Sequence, residues 1–144
     1  MTGRKLKVLQ KRPAEYELWI GIAAPGIVPN HLDRLDEDPS FYGLRSDGDV
    51  VTAGKGSLLN NMPASSIIRP DLYAKRSRTD RVFTAGDEVT IKLDCSAHTL
   101  NMHTPTINHT IKLTSDQPQN WVLTLCFKPG DHQVQFIGYE DNLD

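Results

Sequence analysis

An alternation of apolar and polar residues with a period of two constrains this chain more than any other feature of its sequence. Positions 16, 18, 20 and 22 are apolar or aromatic, and the same pattern recurs over 89–95, 107–113 and 121–127. Successive side chains of a β-strand point to opposite faces, so each run predicts a half-buried strand. A helix is predicted only near residues 70–75, where Pro70 suits a first helical position.

Turns rich in Gly, Pro and Asp separate these runs at nearly even intervals. After residue 86 the predicted strands are 88–95, 98–103, 107–113, 120–127 and 132–137. Even spacing with short turns is typical of an antiparallel meander in a sandwich or barrel. The shared faces predict a core that contains Ile20, Ile22, Ile91, Leu93, Leu123, Leu125 and Phe136.

Two segments lack any strand pattern and predict long loops. Residues 25–41 contain an acidic run at 33–38, and residues 54–82 contain a basic run between Arg69 and Arg81. Loops longer than about 12–15 residues in a compact domain are usually functional or disordered. Each charged run is therefore either a binding surface or a solvated loop.

Composition and charge exclude several classes of function. The chain has 144 residues and a formal net charge of −2, and its pI near 6.2 argues against a dedicated nucleic-acid binder. No run reaches the roughly 18 apolar residues of a membrane span. The basic N-terminus also lacks the apolar stretch of a secretory signal. We therefore expect a single cytoplasmic domain that binds neither nucleic acid nor membrane.

No combination of residues predicts catalysis or a bound metal. His98, His103 and His109 have spacings of five and six residues, which match no zinc signature. The motifs of phosphate-binding loops and of nucleophilic serines are absent. Cys95 alternates with core residues, so we expect Cys95 and Cys126 to be buried, reduced thiols. The sequence thus predicts a binding or structural protein that has no cofactor and is not an enzyme.

Five motifs, in the same order, resemble those of SPRY domains. Residues 19–23 are similar to the family's Trp-x-Gly-x-Ala strand, and residues 40–48 to the strand and turn that follow it. Residues 83–89 resemble the Phe-x-x-Gly-Asp entry, 93–102 the Leu-Asp hairpin, and 120–137 the closing strand pair. The related neuralized-type domains share most of these features.

The resemblance implies an all-β, antiparallel sandwich of the concanavalin-like jelly-roll type with two long loops. Such domains bind proteins or peptides, commonly as the substrate-recognition module of a ubiquitin ligase or as a signalling adaptor. The family's Asn-Gly turn is replaced here by residues 102–106, and only residues 5–10 supply a candidate N-terminal strand. Either residues 1–144 form one SPRY-like domain, or they form a fragment that lacks the usual N-terminal strands.

The resemblance also guides the choice of a partner site. The family uses the turn between its last two strands, which here contains Lys128 and Pro129. The second long loop supplies Tyr73, Arg76 and Arg78. Tyrosine and arginine are enriched at binding hot spots. We therefore expect these five residues to form a surface, with its arginines exposed, that binds an acidic or polar peptide.

Two other functions and one geometric expectation stay open. The sandwich could be a lectin-like carbohydrate-binding domain, although Trp121 alternates with apolar residues and is expected in the core rather than on a sugar platform. It could also be a structural or assembly domain whose partner is its own neighbour. If the strands before the two long loops are adjacent and antiparallel, as the resemblance suggests, the loops leave from opposite ends.

Overall fold

The alternating runs of the sequence form β-strands in the computed structural model, which describes residues 2–10, 18–24, 40–53, 62–77, 80–113, 121–127 and 133–141. The strands are β1 (Thr2–Gln10), β2 (Leu18–Ala23), β3 (Tyr42–Arg45), β4 (Val50–Val51), β5 (Glu88–Asp94), β6 (Thr99–His103), β7 (Asn108–Lys112), β8 (Val122–Phe127) and β9 (Gln133–Asp141). A 3-10 turn at Ala64–Ser66 and the helix α1 (Pro70–Lys75) precede β5. The helix begins and ends where the sequence predicts it. Among the described residues, no helix has the length and apolar character that a membrane span requires.

Two antiparallel sheets contain all of these strands. Sheet A has the order β7-β6-β5-β1-β9, and sheet B has the order β4-β3-β2-β8. Each pair of neighbouring strands is antiparallel. The predicted all-β antiparallel sandwich is therefore confirmed.

The predicted meander is correct for three strands and wrong for the next two. β5, β6 and β7 are neighbours in sheet A, but β8 pairs with β2 in sheet B, and β9 returns to sheet A beside β1. Alternation fixes which side chains of a strand face inward, but it does not say which neighbour its backbone pairs with. Trp121, just before β8, is half-buried against the core, as expected.

Strand β1 is an internal strand of sheet A, between β5 and the edge strand β9. Its register places Lys5 beside Thr90 on one side and Gly138 on the other. The sequence indicated only a short candidate strand here, because its lysines alternate with apolar residues over few positions. The longer strand is stable because neighbours on both sides pair with its backbone N–H and C=O groups.

The core lies between the two sheets and includes or contacts six of the seven predicted inward-facing residues. Three of these are at most 5% exposed: Ile20, Ile22 and Ile91. Three more pack against the core but are only half-buried: Leu93, Leu123 and Leu125. Their orientation was predicted correctly and their full burial was not, because alternation does not say how completely the opposite sheet covers a face. The side chain of Phe136 in β9 lies outside the described residues.

Two glycines let β2 and β3 approach closely on the outer face of sheet B. Gly21 and Gly43 are directly paired across the strands. A Cβ atom at Gly21 would overlap the carbonyl oxygen of Tyr42, and one at Gly43 would lie 2.7 Å from Cζ of Phe41. The ring of Phe41 therefore occupies the space above Gly43. Trp19, on the same face, is 3% exposed and belongs to a second apolar cluster that includes Phe41.

The two long connections start from the same end of sheet B. β3 lies between β2 and β4 and is antiparallel to both, so β2 and β4 run in the same direction. The expectation that the strands before the loops are adjacent, and that the loops leave from opposite ends, is therefore wrong. Residues 25–39, which make up most of the first loop, lie outside the described residues.

Candidate partner-binding site

The connection between β4 and β5 carries local structure along much of its described length. Ile67 forms a β-bridge with Ile107, and the backbone N–H of Ile68 donates to the carbonyl oxygen of Thr106 at 2.9 Å. These contacts hold the connection against the beginning of β7. The described part of the second loop thus contains a 3-10 turn, a β-bridge to Ile107 and a helix.

Helix α1 is fixed at its beginning by proline and charge. Pro70 occupies the first turn, and Asp71 lies there as well, where the helix dipole favours a negative charge. The guanidinium of Arg69 donates to both carboxylate oxygens of Asp71, at 3.1 and 3.0 Å. These hydrogen bonds hold the pKa of Asp71 at about 2. Arg69 and Asp71 are both exposed. Their ion pair therefore orients the first turn of α1 without burying it.

Tyr73, the first of the predicted partner residues, lies on α1. Its side chain is half-buried and packs against the core. The guanidinium carbon of Arg81 lies 5.5 Å from the centre of the Tyr73 ring, a cation–π distance. The sequence singled out Tyr73 but not Arg81 as a binding residue. The two nevertheless form one unit.

Arg76 is not the exposed cation that the sequence suggested. Its Nη1 and Nη2 atoms donate to the two carboxylate oxygens of Asp87 at 2.7 and 3.0 Å. The side chains of Arg76 and Asp87 are 13% and 12% exposed. Asp87 also accepts the backbone N–H of Thr84 at 2.9 Å. Arg76 therefore ties the end of α1 to the start of β5, because an arginine fork matches a carboxylate.

The other three predicted residues, Arg78, Lys128 and Pro129, lie outside the described residues. The end of β8 that precedes Lys128 can nevertheless be located. Its last residue, Phe127, pairs with Leu18.

A chain of hydrogen bonds connects Leu18 to the second long connection. The carbonyl of Leu18 accepts the N–H of Ser46 at 3.1 Å, and the carbonyl of Ser46 accepts the N–H of Val82 at 3.0 Å. We call this part of the sandwich the basal end and define it by Leu18, Ser46, Val82 and Thr104. The end of β8 and the segment before β5 thus lie at the same end.

Two threonine hydroxyls hold the basal end together. Thr104 Oγ1 donates to the carbonyl oxygen of Val82 at 2.8 Å, and Thr106 Oγ1 lies 2.8 Å from the same oxygen and 3.0 Å from that of Arg81. Both threonines are at most 1% exposed. Sequence reasoning missed their role, although it noted that residues 102–106 replace the family's usual turn. This departure from the family's turn was the feature of the sequence that could have pointed to the two threonines.

The position of Cys95 contradicts the sequence interpretation. Cys95 is exposed, in the turn between β5 and β6. Oδ1 of Asp94 accepts the N–H groups of Ser96 and Ala97, both at 3.0 Å. This side-chain turn ends the strand one residue early, so Cys95 leaves the alternating pattern. Nothing is described for the side chain of Cys126.

The histidines do not assemble a reactive centre within the described residues. His109 lies on the apolar face of β7, as its alternation predicted, and its Nδ1 is 2.8 Å from Ser66 Oγ. Burial lowers the pKa of its imidazole. No three His, Cys, Asp or Glu side chains of the described part of the chain form a group that could hold a metal ion.

A groove lined mostly by charged and polar residues lies on the outer face of sheet A. It encloses about 370 Å³ and is lined by side chains of β1, β5 and β6 together with Thr104 and Pro105. Lys5 and Glu88 form an ion pair in it at 3.5 Å. The groove thus contains both signs of charge and favours no single kind of ligand.

Comparison with known proteins bears on the fold. The SPRY domain of human HERC1 has a similar structure, with a TM-score of 0.61 and 16% sequence identity over 93% of this chain and 72% of that one. No family model matches the chain. No curated protein matches it either. At this identity the similarity establishes a common fold, and it agrees with the motifs noted in the sequence.

Proposed function

Because this chain has the fold of a SPRY domain, we propose that it is a protein-interaction module that binds an acidic or polar peptide at its basal end. In this proposal the chain recognises substrates for a ubiquitin ligase or acts as a signalling adaptor in the cytoplasm. It has no catalytic role and needs no cofactor.

The observation that carries the proposal is the way the basal end is built. The connection that bears Tyr73 and Arg81 is fixed to both sheets by Val82, Thr104 and Thr106. Binding residues are most often found on connections that a rigid scaffold positions. A fixed tyrosine also offers a large contact area at a low cost in conformational entropy.

The five predicted residues take two different parts in this proposal. Tyr73, Arg78, Lys128 and Pro129 contact the partner directly. Arg76 holds the surface in place through Asp87, since both side chains are almost fully buried. A carbohydrate partner is less well supported, because the ring of Trp121 is edge-on to Tyr42 and half-buried, and so does not offer a stacking platform.

The proposal is tested by binding of the whole chain to a peptide array in which Asp and Glu are replaced by Asn and Gln one at a time. We expect selective retention of acidic peptides. The double variant Arg78→Glu, Lys128→Glu should bind roughly ten-fold more weakly at low salt, and its binding should depend less on salt. Arg76→Glu is unsuitable for this test because it would also disrupt the Asp87 pair.

Lys112→Glu provides the matched control. Lys112 is exposed on sheet A, at the end of β7 away from the basal end, so its reversal should leave peptide binding unchanged. Equal binding by the double variant and the parent chain at low salt would contradict the proposed surface. A signal on a glycan array, or self-association in sedimentation, would instead support one of the two other functions.

A further inference from the structure

Arg81 differs from the other arginines whose side chains the structure describes. Arg45, Arg69 and Arg76 each donate two hydrogen bonds to one carboxylate, on Asp47, Asp71 and Asp87 respectively. Within the described residues, Arg81 forms no ion pair, and its buried Nε atom donates no hydrogen bond. A buried donor of a charged group that lacks a partner is costly and needs an explanation.

The carboxylates of Asp71 and Asp87 are already paired with other arginines. Both oxygens of Asp71 accept from Arg69, and both oxygens of Asp87 accept from Arg76. Asp80, the residue before Arg81, has an interaction of its own. Among the described residues, no acidic side chain therefore neutralises this guanidinium.

Arg81 is also held in a defined position. Its carbonyl oxygen lies 3.0 Å from the hydroxyl of Thr106, and its guanidinium lies over the ring of Tyr73. A guanidinium stacked on an aromatic ring keeps its hydrogen-bond donors directed outward from the ring edge and loses little further freedom on binding. Such an arrangement suits two-point recognition of a carboxylate.

We infer that Arg81, stacked on Tyr73, is the residue that binds a carboxylate of the partner. This inference rests on the proposed function and adds the partner's anchoring group. The carboxylate comes either from an Asp or Glu side chain or from a free peptide C-terminus. Among the described cations of the basic run, Arg81 combines a fixed position with terminal Nη atoms that no described carboxylate occupies, whereas the guanidinium groups of Arg69 and Arg76 are already paired.

The first test is a titration of the ¹⁵N-labelled chain with acetate, followed by NMR of the arginine Nε–H signals. Acetate presents the carboxylate alone, so the result does not depend on knowing the partner. We expect the Arg81 signal to shift progressively while those of Arg45 and Arg76 stay fixed. An unmoved Arg81 signal at acetate concentrations that shift other exposed cations would overturn the inference.

The second test uses the peptide array with Arg81→Lys, which keeps the charge but removes the fork, and with Arg69→Lys as the matched control. Arg81→Lys should reduce the preference for an acidic peptide over its amide counterpart roughly ten-fold, and Arg69→Lys should not. Peptides with amidated C-termini distinguish the two carboxylate sources. Unchanged acid preference in Arg81→Lys would overturn the inference and leave the proposed function standing. No peptide binding by the parent chain would overturn the proposed function, and the acetate titration would still decide the role of Arg81.

Discussion

Arg76 and Arg81 lie five positions apart in one basic run and have different surroundings in the fold. Arg76 is nearly buried because Asp87 is positioned to accept two of its N–H groups, whereas Arg81 lies over the ring of Tyr73 and pairs with no carboxylate of the described residues. The sequence shows the same residue type at both positions. The position of the neighbouring carboxylate, which depends on the fold, determines which cation can bind a partner.

The exposure of Cys95 leads to a prediction about labelling. A thiol reagent should modify Cys95 in the native protein at close to the rate of an unstructured peptide, because its side chain is exposed in the turn between β5 and β6. The rate is measured by mass spectrometry with Cys95→Ser as the control. That variant should lose the fast phase and change the free energy of unfolding by less than about 0.5 kcal/mol. Modification only at the rate of global unfolding would contradict the exposure.

The imidazole of His109 should make stability depend on pH. Burial holds its pKa below the ordinary value of 6.5, so the folded protein binds this proton less readily than the unfolded chain. The resulting stabilisation is fully present above pH 6.5 and is lost as the pH falls through the folded pKa.

We therefore expect His109→Gln to show a smaller fall in melting temperature between pH 7 and pH 5 than the parent chain. The exposed His98 provides a control as His98→Asn, since asparagine tolerates its positive φ of 55°. That variant should keep the parent's pH dependence. A fall of equal size in the His109 variant would assign the pH dependence to other groups.

At the residue scale, the sequence predicted which face a side chain points to better than it predicted how exposed that side chain is. Alternation identified Ile20, Ile22 and Ile91 as buried and placed His109 on an apolar face. It failed at Cys95, where the side chain of Asp94 ends the strand through a local turn. A pattern with a period of two contains no information about where a competing side-chain hydrogen bond interrupts it.

At the scale of elements, the contact between β2 and β3 depends on having no side chain at two positions. Gly21→Ala should destabilise the fold by about 2–3 kcal/mol, because its Cβ would overlap the carbonyl oxygen of Tyr42 and force the strands apart. Gly86→Ala is the contrasting variant. It has no atom within 4 Å of the new Cβ, but its φ of 91° should cost about 1 kcal/mol. Denaturant unfolding measures both, and equal costs would show that the strands can separate freely.

The ion pair between Arg76 and Asp87 should stabilise the folded state more than the one between Arg69 and Asp71 at the start of α1. Arg76→Gln leaves Asp87 nearly buried without its cation, which should cost about 3 kcal/mol. Arg69→Gln removes an exposed pair and should leave the unfolding curve unchanged. A melting temperature for Arg76→Gln equal to that of the parent chain would mean that Asp87 is solvated after all.

At the scale of the whole molecule, the threonines of the basal end should couple the two sheets. Thr104→Val removes the bond to Val82 and the acceptor for the N–H of Ile107, at a cost of roughly 1–3 kcal/mol. Because Val82 is bonded to Ser46 of sheet B, hydrogen exchange should accelerate at both of these amides together. Thr99→Val, in β6 but outside this network, should change neither amide. Faster exchange at Val82 alone would show that the sheets are held independently.

The overall topology was only partly accessible from the sequence. Short turns between β5, β6 and β7 predicted their pairing, because consecutive antiparallel strands with tight turns usually lie side by side. The crossing of β8 to sheet B and the return of β9 beside β1 depend on pairings between residues more than 100 positions apart, such as Leu18 with Phe127. The candidate site could likewise be predicted only in part. The sequence identified Tyr73 by its residue type, but its contact with Arg81 depends on the fold.

The position of β1 between β5 and β9 in sheet A has a consequence for synthesis on the ribosome. β1 emerges first among the described strands, but its two neighbours, β5 and β9, are translated much later, and Thr2 finally pairs with Asp141. Sheet closure therefore waits for nearly the whole chain, and pairings of such long range fold slowly. Until then β1 presents open hydrogen-bonding edges, which other chains can pair with. Nascent chains of this protein should accordingly depend on chaperones that shield the emerging segment until β9 has left the exit tunnel.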